Sequence, residues 1–167
     1  KVEITAEMVD RKTINNSVAG EWFTPHVIEP AFGIDRIIWH ILDHAFEEIE
    51  KEGEKYNLLK LKESISPADL IVLPLFEKDG MGMAARKLNT QINQMQGVKC
   101  LIDSSKSIGR RYARADEIGV PWAITVDHQT LEDETVTVRR RDDQKQIRID
   151  IGQLLDLINT NLVSTLF

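Results

Sequence analysis

Three short apolar runs alternate with two stretches whose apolar residues recur every three or four positions, and no other feature constrains the fold of this chain so strongly. The runs are residues 70–75, 98–102 and 121–126. Each is too short for a helix and reads as a buried strand, the first ending near Pro74. Between them, Met81, Ala85, Leu88, Ile92 and Met95 form one helical stripe closed by Gly97. Ile108, Tyr112, Ala115 and Ile118 form a second, opened by Ser107 as N-cap and stopped by Gly119. Residues 135–139 alternate and predict a fourth, partly exposed strand at an antiparallel edge, and Ile151, Leu154, Leu155, Ile158 and Leu162 predict a closing helix. The expected fold class is α/β, with a mixed, mostly parallel sheet flanked by helices.

Upstream the pattern differs. Ile34, Ile37, Ile38, Ile41, Ala45 and Ile49 predict an amphipathic helix over 34–49, ended by the charged stretch 50–55 with its Gly53. Before it, residues 2–5 and 21–23 are β-prone around a polar segment, 7–16, that can be helical. This reads as the remnant of a sheet-containing domain whose other strands are absent. The expected division is therefore 1–55, a linker over 56–66, and a compact unit over 67–167. The chain opens on Lys1, which fits a piece of a longer polypeptide.

Charge is segregated. The 167 residues carry a net charge of −6, which argues against sequence-blind nucleic-acid binding. Yet residues 106–114 hold Lys106, Arg110, Arg111 and Arg114 with no acid, a local +4. Residues 139–148 hold Arg139, Arg140, Arg141, Lys145 and Arg148 against Asp142 and Asp143, a local +3. The rest of the chain is left at −13. Two compact basic segments in so acidic a chain can share one surface that grips a defined anion, or can each be a solvated face balanced by nearby acids. The single cysteine, Cys100, permits no internal disulfide, and a reducing, cytoplasmic setting is expected. No apolar run reaches the roughly 20 residues of a membrane-spanning helix, so no membrane partner is expected.

The string from Thr24 to Arg36 runs from a β-prone piece through a turn into the first helix. Arg36 falls in that helix's first turn, where a cation opposes the helix dipole and an anionic ligand would restore the balance. Gly33 lets a ligand approach the backbone. Pairing of Arg36 with Asp35 or Asp43, or plain solvation, is the alternative.

Pro25-His26-Val27-Ile28-Glu29-Pro30 with Gly33-Ile34-Asp35-Arg36 resembles the third signature motif of class II aminoacyl-tRNA synthetases, in the form seen in glycyl-tRNA synthetases of the homodimeric type. The string from Asp103 to Pro121, and Thr137-Val138-Arg139 followed by Arg141-Asp142, are similar to the same family's anticodon-binding domain. The resemblance implies a glycine–tRNA ligase, with this chain the C-terminal part: the end of the antiparallel catalytic domain, a linker and the anticodon-binding domain. By it, Arg36 is the catalytic residue that contacts ATP phosphates, Gly33 lies beneath the nucleotide, and Glu29 faces the amino group of glycine. ATP with Mg2+, glycine, glycine tRNA and a second subunit are the implied ligands and partners of the intact enzyme. One departure is Ala31, where the family usually has serine. The family's first and second motifs are not in this chain, so the piece alone is expected to bind no cofactor and to make no glycyl-adenylate. The alternative is a synthetase-derived RNA-binding or polymerase-accessory module without catalysis.

In the helix of 107–118 the apolar stripe implies that Arg110, Arg111 and Arg114 project from the outer side. With the resemblance, tRNA contact is expected from among Lys106, Arg110, Arg111, Arg114, Arg139, Arg140 and Arg141. His40 and His44 are spaced like a metal pair, but lack a further ligand set, and no metal site is expected.

Overall fold

Residues Lys1–Phe32 and Gly33–Phe167 are two separate units of the structure, a computed structural model that describes every residue but Glu52, and Lys51 and Glu54 by backbone alone. The first unit holds one short 3-10 turn, Ala6–Met8, and all its residues are exposed. Residues 2–5 and 21–23 form no strand, and 7–16 no α-helix. Local β-propensity makes a strand only where a second strand completes its hydrogen bonds, and none is present among the described residues of this unit.

The second unit opens with α1, Ile34–Ala45, whose N-cap is Gly33. The helix is four residues shorter than its apolar stripe predicts. Phe46–Lys51 is instead β1, paired antiparallel with β2, Glu54–Leu59, in a register that sets Phe46 opposite Leu59 and Ile49 opposite Tyr56. Between the strands Gly53 has φ +82°, a left-handed backbone that glycine adopts without strain. Residues 56–59, expected as linker, thus belong to a strand.

The main sheet has five strands: β3 Leu70–Pro74, β4 Cys100–Ile102, β5 Trp122–Val126, β6 Thr135–Arg140 and β7 Gln146–Asp150. They lie in the order β4-β3-β5-β6-β7, with β3, β4 and β5 parallel and β6 antiparallel to its two neighbours, β5 and β7. From β3 the chain crosses to β4 through α2, Met81–Asn93, then reverses past β3 to β5 through α3, Ile108–Glu117. Right-handed crossovers in opposite directions put these two helices on opposite faces. The strand period of two then divides the core. Leu70, Val72, Trp122, Ile124 and Val126 pack with Met81, Leu88 and Ile92 of α2 and with Leu154 and Ile158 of α5, Ile151–Asn159. Ile71, Leu73 and Ala123 pack with Ala115 of α3 and with Val120. Burying side chains such as Ile92 and Leu154, both at 0% exposure, contributes roughly 1.5–3 kcal/mol each.

β6 is antiparallel as expected but is not the edge, because β7 lies outside it. α4, His128–Asp133, is also added to the expected elements. Its apolar content is too small for a stripe, but its start is marked in the sequence. Asp127 accepts the Thr130 backbone N–H and Thr130 Oγ1 accepts that of Asp127, each at 3.0 Å, a reciprocal cap. Among the described residues no helix is long and apolar enough to cross a membrane.

Candidate nucleic-acid interface

Parallel strands that reverse their order leave a crevice at their carboxyl ends, and here the loops after β3, β4 and β5 meet at that edge. The loop after β4 is built by Asp103, which accepts hydrogen bonds from the Ser105 backbone N–H at 2.9 Å and from its hydroxyl at 2.8 Å. Arg114 of α3 closes it, donating through Nε to Asp103 at 3.0 Å and through Nη2 to the Ser105 carbonyl at 2.9 Å. Burial alone would raise the Asp103 carboxyl, but the hydrogen bonds from Ser105 and Arg114 outweigh it and hold the group below the usual carboxylate range. Lys106 follows with φ +65°, and its side chain is exposed.

Arg111 does not project outward. It is 4% exposed and donates to the carbonyls of Pro74, Leu75 and Lys106, tying the end of β3 to the loop after β4. The reason is helical spacing: Arg111 follows Ile108 by three and precedes Ala115 by four, so it lies on the inward face, and its head group reaches carbonyls left over at the strand end. Arg110, one position back, is exposed. Neither Lys106 nor Arg110 has a carboxylate partner among the described residues.

The second basic segment is mostly internal. Arg139 is 4% exposed and Arg141 3%. Arg139 makes two hydrogen bonds to Asp116, at 2.9 and 2.8 Å, while Arg141 donates to the carbonyls of Gly119 at 2.7 Å and Leu61 at 2.8 Å. Arg140, half-buried, pairs with Asp143 and lies 4.8 Å from the centre of the Phe167 ring. Arg148 pairs with Asp127 at 2.8 and 2.9 Å. The seven cations expected on one outer surface are therefore divided. Lys106 and Arg110 are exposed without partners, Arg114 and Arg140 are partly exposed in ion pairs, and Arg111, Arg139 and Arg141 are struts within the fold.

Sequence reading missed an aromatic pair at the same edge. Phe76, just beyond β3, and His128, at the start of α4, have ring centroids 6.3 Å apart and both are exposed. Their only sequence signal is position, each following a buried strand. An acid shares this edge: Glu77 is held below its ordinary range first by the Ser104 hydroxyl and then by Arg86.

At the other end of the chain, Arg36 sits in the first turn of α1, exposed, with no ion pair among the described residues. A Cβ built on Gly33 would lie 3.7 Å from the aliphatic stem of Arg36, an ordinary contact, so neither space nor backbone conformation requires glycine at this turn. Glu29 is exposed in the first unit. His40 and His44 have rings 6.4 Å apart, and the described residues include no group of three or more His, Cys, Asp or Glu placed to hold a metal. Cys100 is buried, and burial pushes its thiol up to about 12.

The profile described as "Anticodon binding domain" matches residues 69–161, the sheet and its helices. The chain belongs to the anticodon-binding domain family. This anticodon-binding domain and the residues before it are similar to glycine–tRNA ligases. Identity is 46% with the ligase of Methanothrix thermoacetophila over 93% of this chain and 27% of that protein. It is 46% with that of Methanocaldococcus jannaschii over 96% of this chain and 27% of the relative, and 43% with that of Archaeoglobus fulgidus over 98% and 29%. The chain thus spans little more than a quarter of the length of these curated relatives. In fold it is similar to the RNA-binding domain of threonyl-tRNA synthetase from Cryptosporidium parvum, with a TM-score of 0.54 and 22% identity over 60% of this chain and 25% of that one.

Proposed function

We propose that this chain is part of a glycine–tRNA ligase, in which the anticodon-binding domain holds glycine tRNA at the carboxyl edge of its sheet. One observation carries the reading: the likeness to the Archaeoglobus fulgidus ligase runs over 164 of the 167 residues, so it takes in the string from Thr24 to Arg36 as well as the domain. At the edge, Lys106 and Arg110 supply charge without an internal partner, and Phe76 and His128 offer ring faces for unpaired bases, the two needs of single-stranded RNA recognition. Arg114 and Arg140 can add to the field while staying paired.

Residues 1–59, through the β1–β2 hairpin, are proposed as the end of the catalytic domain, 60–66 as its connection and 67–167 as the anticodon-binding domain. In the intact, dimeric, cytoplasmic enzyme the glycine carboxylate attacks the α-phosphate of ATP, releasing pyrophosphate, and the terminal tRNA hydroxyl then takes the glycyl group, releasing AMP. Arg36 fits a role toward the ATP phosphates, because it is an exposed arginine without an ion pair among the described residues, in the first turn of a helix whose N-terminal amides favour an anion. Glu29 is proposed to meet the glycine amino group. Mg2+, expected with the ATP, has no group of three or more His, Cys, Asp or Glu to hold it among the described residues.

A filter-binding titration of this chain against glycine tRNA and an unrelated tRNA, at several salt concentrations, tests the reading. Tighter retention of glycine tRNA that weakens as salt rises is expected. Equal retention of both, insensitive to salt, would sink it. Assayed alone, the 167 residues are expected to show ATP–pyrophosphate exchange at background, since one arginine does not make a phosphate clamp.

A further inference from the structure

One carboxylate joins the hairpin that follows α1 to the domain that carries the RNA edge. Tyr56, on β2, donates its hydroxyl proton to Asp116 near the C-terminal end of α3. Asp116 is 1% exposed and also accepts both guanidinium bonds of Arg139 on β6. The Arg139 guanidinium in turn lies 4.8 Å from the centre of the Tyr112 ring, and the Tyr112 hydroxyl is hydrogen-bonded to Thr125 on β5. Two further stitches hold the segment after β2. Arg141 donates to the Leu61 carbonyl at 2.8 Å, and Ser66 Oγ donates to that of Gly119 at 2.9 Å.

The opposite end of α3 is anchored as firmly, through Arg111, to the end of β3 and the loop after β4. A ten-residue helix is a rod of about 15 Å, too short to bend appreciably under such anchors. Its N-terminal half holds the loops of the RNA edge. Its C-terminal end holds the hairpin, which continues without a break from the helix that begins with Gly33 and Arg36.

We propose that Tyr56 and Asp116 are positioning residues, fixing the hairpin and α1 against α3 so that a tRNA held at the carboxyl edge is presented in register to the nucleotide end of α1. The proposal rests on the glycine–tRNA ligase reading and adds to it the means by which anticodon-side binding is converted into charging rate. Asp116 has a second duty, since without it Arg139 is a buried unpaired cation. The Tyr56 hydroxyl faces both Asp116 and the Arg139 guanidinium but is not the charge that neutralises either. Removing it leaves Asp116 with both Arg139 donors and Tyr56 with its ring, so Tyr56→Phe separates positioning from folding.

The test is Tyr56→Phe in the full-length ligase, read against glycine tRNA and against a minihelix that carries the acceptor stem without the anticodon arm. Glycine-dependent ATP–pyrophosphate exchange and the dissociation constant for tRNA should stay at the wild-type values. The kcat for charging intact tRNA should fall about tenfold, the weight of one hydrogen bond to a buried carboxylate. Minihelix charging should not change, because the minihelix does not touch the edge. Wild-type kcat on intact tRNA would overturn the proposal, as would an equal loss on both substrates or a matching loss of exchange, each of which marks a general structural role. Absence of glycine-dependent exchange in the wild-type enzyme is read before any variant and overturns the ligase reading itself.

Discussion

Asp116 and Arg139 form a two-pronged ion pair inside the domain, at 2.9 and 2.8 Å, with 1% and 4% of the residues exposed. Truncating one partner leaves the other charged and dry. Asp116→Ala is therefore expected to destabilise the fold by about 3–5 kcal/mol, whereas replacing both, as in Asp116→Leu with Arg139→Met, should cost far less. Urea unfolding of the two variants checks this, and similar losses in both would contradict it.

Exposure without a partner sets Lys106 and Arg110 apart from the other candidate cations. If they meet phosphates, Arg110→Ala should lower the slope of log affinity for glycine tRNA against log salt by roughly 0.7–0.9. Stability should stay within about 0.5 kcal/mol of the parent. Arg111→Met should do the reverse, leaving carbonyls at the strand end unpaired and lowering the unfolding midpoint.

Gly119 has φ +83°, and a Cβ placed there would lie 3.1 Å from the Leu59 carbonyl oxygen and 3.0 Å from a Leu61 methyl. Backbone strain and a close approach to the β2 end coincide at this residue. Gly119→Ala should cost about 1–3 kcal/mol. An unchanged denaturation midpoint would show that the segment after β2 can shift to make room.

The Asp127 carboxyl is held at about 2, chiefly by the hydrogen bonds of Arg148, with Thr130 adding to them against the effect of burial. A carboxylate depressed in the folded state stabilises fully above its unfolded range, near 4, and loses that contribution as pH falls through about 2. Partial exposure reduces its weight to roughly 1–2 kcal/mol. Asp127→Asn keeps an oxygen for the Thr130 cap, so it should be less stable than the parent by that amount at pH 7, and the gap should close on acidification to about 2. Unfolding curves at several pH values decide it, and a constant gap would rule out the linkage.

Much of the sheet was legible because its rules are local. Residues 70–74 and 122–126 are apolar runs at the length of a buried strand, whereas α4 was missed although its cap, Asp127 with Thr130, spans only four residues. The errors arose where the deciding partner is distant. Phe46 and Ile49 extend the stripe of α1, and only the pairing with residues 54–59 makes them a strand. The edge position expected for β6 was lost to β7, whose alternation of Ile147 and Ile149 was hidden in a segment read for its charge.

For the candidate site, the chain alone determined the family-like strings around Glu29, Gly33 and Arg36 and around Asp103 to Pro121, and it determined where positive charge is concentrated. Tertiary structure decided which of those charges can meet a ligand. Arg110 and Arg111 are neighbours with the same chemistry, yet one faces out and the other binds carbonyls 37 and 36 positions away at the end of β3 and a third in the loop just before α3. Arg139 finds Asp116 at a separation of 23, and Arg141 finds Leu61 at 80. A cation's sign is a property of one residue. Its availability depends on what the fold brings beside it, because a buried charge persists only when remote parts of the chain satisfy it.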